Sequence, residues 1–182
     1  MQSSLPVQVK IMDQLQQQNI LSLLGTRKFT LILSNQAILT EDIESRYIGN
    51  ENLSVNLNQF MYQASQSSVT FQELRGLSFL VLTNIGSWNK IINQNIPETK
   101  FLYQQQQETF SEITKYSDFP FFSTNLSDLN PTFEQLQNDE DNRVKIPITD
   151  NDAHMTIYGS YLKSQRQSLN NVLEKIIQNW PK

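Results

Sequence analysis

The apolar residues of this chain change their spacing along its length, and that change limits the fold more than any single motif. Val69-Thr-Phe-Gln-Glu-Leu74 and Leu77-Ser-Phe-Leu-Val-Leu-Thr83 repeat with a period of two, the spacing of a strand with one buried face. Leu162, Leu169, Val172, Leu173, Ile176 and Trp180 instead fall on one face of a helix, with Ser160 as its cap and Pro181 as its stop. A chain that carries both spacings is a mixed α and β fold.

The remaining segments fill in that picture. Pro6 to Leu24 reads as a helix, with Pro6 in its first turn and Gly25 just past its end. Lys28–Ser34 is short, apolar and β-rich, and reads as a strand. Thr40, followed by Glu41, Asp42 and Glu44, predicts a short helix that stops at Gly49, because acids suit the positive end of a helix dipole. Leu57, Phe60, Met61 and Ala64 make a second short helical face. Arg75-Gly76 turns residues 69–83 into a hairpin in which Gly76 takes a positive φ. A rival pattern lies in the same place: Thr70 and Glu73 form a capping box between Val69 and Leu74, which would start a helix. Gly76 would end that helix almost at once, so the hairpin is preferred.

Further on, Ser87 opens a helix over Trp88–Gln94, and Glu98 to Tyr116 reads as one helix without Gly or Pro. Asn130-Pro131 is a cap and first-turn pair for a brief helix through Leu136. Val144–Ile148 and Ala153–Tyr158 read as a second hairpin, joined through Thr149–Asp152. The five glycines, at 25, 49, 76, 86 and 159, sit at expected element boundaries. The fold expected is α+β: a small, mainly antiparallel sheet of two hairpins and one strand, covered by helices, with a long amphipathic helix near the C-terminus. Neither hairpin carries a crossover helix, which argues against a doubly wound parallel sheet. The 182 residues fit one domain over 1–182, alone or as the soluble part of a longer protein.

Composition excludes several classes of chemistry. The hydrophobic fraction of 38% and aromatic fraction of 10% are enough for a core. There is no cysteine, hence no disulfide, thiolate nucleophile or iron–sulfur site. No apolar run approaches the roughly 18 residues that span a bilayer, and Met1–Pro6 lacks the basic and apolar regions of a signal peptide. The net charge of −4 gives no broad pull toward nucleic acid or anionic lipid, and the basic residues are dispersed. The sequence holds 21 Gln and 18 Asn, so amides stand where Lys and Glu usually do. Source bias explains this most simply; an amide-rich interaction surface is the functional alternative.

Neither G-x-x-x-x-G-K-[ST] nor G-x-G-x-x-G occurs, and no G-x-S-x-G elbow is present. Asp150-Asn-Asp-Ala-His154 is the most chemically suggestive stretch, since Asp150, Asp152 and His154 offer oxygen and nitrogen ligands to a divalent cation. The EF-hand pattern fails in it, because Met155 stands at the glycine position and Tyr161 at the bidentate position. The plain reading is a polar turn. Asp139-Glu140-Asp141 reads as a solvated loop. Phe119-Pro120-Phe121-Phe122 either plugs a core or forms an interface anchor, and Trp180 poses the same question. Asn52-Leu-Ser54 and Asn125-Leu-Ser127 match the glycosylation pattern at about the rate chance would give.

The missing catalytic hardware points to a non-catalytic interaction domain, a subunit or soluble domain of a multi-protein assembly. Its partner would be another, unidentified protein, with Phe119, Phe121, Phe122 and Trp180 as contact residues; an oligomer fits equally. The alternative is a ligand-binding or sensory domain with a pocket between sheet and helices. An enzyme using a metal at Asp150, Asp152 and His154 comes after both. No cofactor is expected, and the compartment is not legible.

Overall fold

The structure of the protein, a computed structural model, describes residue 10 and residues 16–129 and 142–182. The Asn130–Leu136 helix, the run Asp139-Glu140-Asp141 and most of the Pro6–Leu24 helix before residue 16 lie outside them.

Four α-helices and seven strands are described: α1 (Gln17–Gly25), β1 (Ile32–Ser34), β2 (Ile43–Asn58), β3 (Ser78–Leu82), α2 (Ser87–Asn95), β4 (Lys100–Gln104), α3 (Gln107–Tyr116), β5 (Phe121–Thr124), β6 (Arg143–Pro147), β7 (His154–Leu162) and, last, α4 (Arg166–Gln178). All seven strands join one mixed sheet in the order β1-β7-β2-β5-β3-β4, with β6 also on β2. β3 pairs in parallel with both β4 and β5, whereas β2 runs antiparallel to β5, β6 and β7. The small, mainly antiparallel sheet expected from sequence is therefore corrected: parallel pairs are built through crossover helices.

β2 organises the molecule. Its residues 43–52 pair with β7, and its residues 53–58 lie between β5 and β6, so one strand runs through two halves of the sheet. Each half is a three-layer sandwich. In the first, α1 packs Ile20 and Leu24 on Ile32 and Ile43, while α4 packs Leu169 and Leu173 on Ile48, Ile157 and Tyr161. In the second, α2 packs Trp88 and Ile92 on Phe79, Val81, Leu53, Val55 and Leu57. On the other side α3 packs Phe110 on Leu80 and Phe121. β3 is thus apolar on both faces, as a strand covered twice must be.

Several expected elements resolve differently, each for a local reason. Residues 40–49 form no helix: the Thr40 hydroxyl accepts the Ile43 N–H at 3.0 Å and closes a turn, after which β2 pairs with β7. Leu57 ends the buried face of β2, and only Tyr62–Ser65 winds into a 3-10 turn. Residues 69–83 are not a hairpin. The Thr70–Glu73 box forms, with Thr70 N–H on the Glu73 carboxylate at 2.7 Å, and opens a single 3-10 turn at Gln72–Leu74. Gly76 does take a positive φ, of 81°, and leads into β3 alone.

The expected helix from Glu98 splits: Lys100–Gln104 is captured as β4 by the open side of β3, and only the rest is α3. β6 and β7 do not pair with each other. They lie end to end along β2, separated by an excursion whose Asp150 carboxylate accepts the Phe71 N–H at 2.8 Å. Ser160 caps nothing; it is buried inside β7, 2.7 Å from the Ser45 hydroxyl. Gly159 is also mid-strand, where an added Cβ would press on Leu173 of α4 at 3.3 Å, so its small size lets helix and strand approach closely.

Candidate functional site

The order β5-β3-β4 places a topological switch in the second half of the sheet. From β3 the chain crosses to β4 through α2 on one face, then crosses back past β3 to β5 through α3 on the other face. In open α/β sheets a ligand crevice forms outside the carboxyl ends of the strands where the winding reverses. Here that point lies between β3 and β5. Leu80 registers with Phe121, so Thr83 and Asn84 stand level with Thr124 and Asn125.

Two helix starts open on the same edge. α2 begins after Gly86, whose φ of 57° lets the chain turn sharply from β3, and α3 begins after Gln106. Neither start is capped by a side chain, so first-turn N–H groups carry the positive end of each helix dipole unshielded by a cap. Thr83 and Ser87 add hydroxyls and Asn84 a carboxamide; Asn84 and Ser87 are exposed. Trp88, in the first turn of α2, is 5% exposed and its indole N–H has no hydrogen-bond partner.

The other wall is the crossover point of β2. Asn125, just after β5 and 6% exposed, is a four-way tie. Its side-chain oxygen accepts the Asn52 N–H at 2.8 Å, and its amide nitrogen donates to the Asn50 carbonyl at 3.0 Å and the Pro181 carbonyl at 2.8 Å. Its backbone N–H adds a bond to the Asn52 carbonyl at 3.3 Å. The Asn52 side-chain oxygen lies 3.0 Å from Nδ1 of His154, on the neighbouring strand β7. Trp180 donates its indole N–H to the same Asn50 carbonyl at 2.8 Å. Its ring fills the space over Gly49, where an added Cβ would sit only 2.6 Å from the indole Cγ.

This arrangement is built from amides, hydroxyls and main-chain donors, which bind and orient polar groups. The displaced ionisations lie in the first half of the sheet and at the Thr70 turn. Hydrogen bonding to Arg166 holds the Glu44 carboxyl below its ordinary range, and burial together with Glu44 raises the Tyr161 phenol. Those groups tie α4 to β2, helped by Arg46 on Glu174 at 2.6 Å. Hydrogen bonds from the Thr70 hydroxyl and N–H lower the Glu73 carboxyl.

The structure scatters the residues singled out for a metal. Asp150 accepts from Phe71, Asp152 accepts from the Asn95 amide at 3.2 Å, and His154 faces Asn52. Among the described residues no three acidic, histidine or cysteine side chains converge on one point. Phe121 is 1% exposed and packs edge-on against Phe110, while Phe122 stacks on Phe79 with ring centroids 4.6 Å apart. Phe119 is 37% exposed and Trp180 is half-buried at the junction. Asn52 and Asn125, noted in sequence only within N-x-S patterns, turn out to be structural ties whose side chains are engaged. The turn Thr83-Asn-Ile-Gly-Ser87 was legible only as an element boundary and a helix start, and a glycine between a β run and that helix start was the available signal of a binding turn.

No protein-family model matches the chain, and no curated protein matches it in sequence. Solved structures do match in fold. The reduced OxyR regulatory domain from Pseudomonas aeruginosa superposes with a TM-score of 0.65 at 12% identity, covering 89% of this chain and 79% of that one. Against full-length OxyR the chain spans 53% of the length. The regulatory domain of MetR, a LysR family regulator from N. meningitidis, gives 0.59 at 11% identity over 87% and 73%. The effector-binding domain of QuiR in complex with shikimate gives 0.57 at 15% identity over 91% and 80%. These likenesses overturn the expectation of an assembly subunit, which rested on absent motifs and had no fold behind it. The chain has the fold of LysR-family regulatory domains.

Proposed function

We propose that this chain is a ligand-responsive regulatory domain, which binds a small polar or anionic effector at the carboxyl ends of β3 and β5 and reads its presence at the crossover of β2. The observation that carries this is a coincidence of position. The topological switch, the two uncapped helix starts and the point where β2 passes between the sheet halves all share one edge. A ligand held there touches the turn after β3 and stands next to the Asn125 tie, so its binding energy can favour one relation between the halves over another. The matched domains agree with this reading, since one is described as effector-binding and holds shikimate. Another is named for its reduced form. This chain has no cysteine, so thiol oxidation cannot be its signal, and that favours a bound effector.

The test is a thermal-shift screen of small organic acids and polyols, shikimate included, followed by calorimetry on any compound that stabilises the protein. A ligand at one hundred times its Kd adds about 2.7 kcal/mol, a rise of roughly 5–10 °C for a chain of this size. Binding should be lost in Ser87→Asp, which adds a negative charge at the start of α2, and weakened in Asn84→Ala. A hit whose affinity both substitutions leave unchanged refutes this location.

A further inference from the structure

Trp180 and Pro181 follow α4, which rests on the first half of the sheet through Leu169, Leu173 and the Arg46–Glu174 pair. Their two hydrogen bonds go to opposite halves. The Trp180 indole donates to Asn50, in the part of β2 that pairs with β7, and the Pro181 carbonyl accepts from Asn125, which follows β5 in the second half. Gly49 completes the arrangement, because any larger residue would occupy the space of the indole. The backbone there needs no glycine, since its φ is outside the left-handed region; what it supplies is room.

We propose that the Trp180–Pro181 segment is a strap that fixes the relation between the two halves of the sheet. Releasing it frees the halves to adopt other angles about the β2 crossover. This goes beyond the effector reading, and its test needs no effector, so the two can fail separately. Among the described residues, ties that remain across the crossover are the Asn125 bonds to Asn50 and Asn52, Met155 packed against the cores of both halves, and the continuous β2 backbone, and a single strand can bend where its partners change.

The absence of cysteine allows clean spin labelling. Labels at Gln167→Cys on α4 and Glu112→Cys on α3, both exposed, place one probe on each half. Pulsed electron–electron double resonance on the full chain then reads the distance distribution between them. Trp180→Ala removes the strap's anchor, and Gly49→Ala ejects the indole from the other side without altering the strap. The expected result is the same change in both: a displaced mean or an added second population, with helical circular dichroism intact. Trp180→Phe, which keeps an aromatic ring but loses the indole N–H and part of the ring's bulk, provides a milder reading should either variant fail to fold. A distribution identical to the parent's in the folded variants overturns the proposal, and so does a change in Trp180→Ala that Gly49→Ala does not reproduce.

Discussion

The most informative single position is Asn125, where one carboxamide serves as acceptor and twofold donor at once. In Asn125→Ala the Asn52 N–H loses its partner next to a side chain that was 6% exposed, and the Asn50 and Pro181 carbonyls lose a donor. An orphaned donor in such a place costs about 1–3 kcal/mol, and each of the two carbonyls, nearer to water, about 0.5 kcal/mol. The total is about 2–4 kcal/mol, which lowers Tm by roughly 5–15 °C at this chain length. Asn125→Asp sharpens the test. The carboxylate still accepts from Asn52 but turns a second oxygen on two carbonyls, so at neutral pH it should be less stable than the alanine variant.

Acid should rescue that carboxylate. Facing carbonyls, the introduced acid has a folded-state pKa above its ordinary value of about 3.9. The folded state then binds the proton more tightly, so the contribution is fully favourable below the unfolded value and is lost as pH rises through the folded one. Urea unfolding of both variants between pH 3 and 7, followed by circular dichroism, reads the crossing directly. If Asn125→Asp matches the wild type at pH 7, the amide nitrogen is not the atom facing Asn50 and Pro181, and the description of the junction fails.

Other expectations follow from the packing. Phe79→Ala, at a fully buried ring stacked on Phe122, should cost about 3–5 kcal/mol in chemical denaturation. Gly76→Ala, at a φ of 81°, should lose about 1 kcal/mol, whereas Gly25→Ala at the end of α1, with no atom within 4 Å of the new Cβ, should be neutral or stabilising by about 0.5 kcal/mol. Glu44 is held below its ordinary pKa by Arg166, so its stabilisation is present above the unfolded value of 4.5 and disappears as pH falls through the lower folded value. Arg166→Met should therefore flatten the acid side of the stability curve; a slope equal to the wild type's would show that the pair is inert.

The parts of the fold that were legible in sequence are those whose signal is local. The face of α4 from Leu169 onward, the apolar run of β3 and the positive φ at Gly76 were all read from neighbouring residues, whereas Leu162, expected on that helical face, lies in β7. β2 was missed because half of it hides polar side chains. Leu53, Val55 and Leu57 alternate with Ser54, Asn56 and Asn58, which are buried too, and Asn56 is satisfied by the Ser123 hydroxyl and the Phe121 carbonyl. Part of the amide richness, read at first as source bias or surface, is hydrogen-bonding material inside the sheet. β4 was missed because Lys100–Gln104 suits a helix about as well as a strand, and the free side of β3 decides between them. The candidate site was illegible for a deeper reason. A switch point belongs to the order of strands, and no residue in Thr83–Ser87 announces on which side of β3 the chain will next lie down.

The end-to-end arrangement of β6 and β7 along β2 also governs the history of the molecule. Among the described residues, β3 and β4 form the only pairing between consecutive strands; β1 must wait for β7, and β2 for β5, β6 and β7. As the chain leaves the ribosome, β1 and residues 43–52 of β2 therefore have no strand to pair with until Ser160 and its neighbours have been made. Residues 78–124 can condense earlier as a unit of strands and crossover helices that offers β5 to the second half of β2, with β1 and the first half of β2 trailing unpaired. Such long-range closure is slow and leaves strand edges open in the meantime. A truncation near residue 150 would then do more than trim the end: it would strand β1 and the first half of β2 at the opposite terminus. Newly made chains of this design should depend on holding factors until the last thirty residues arrive.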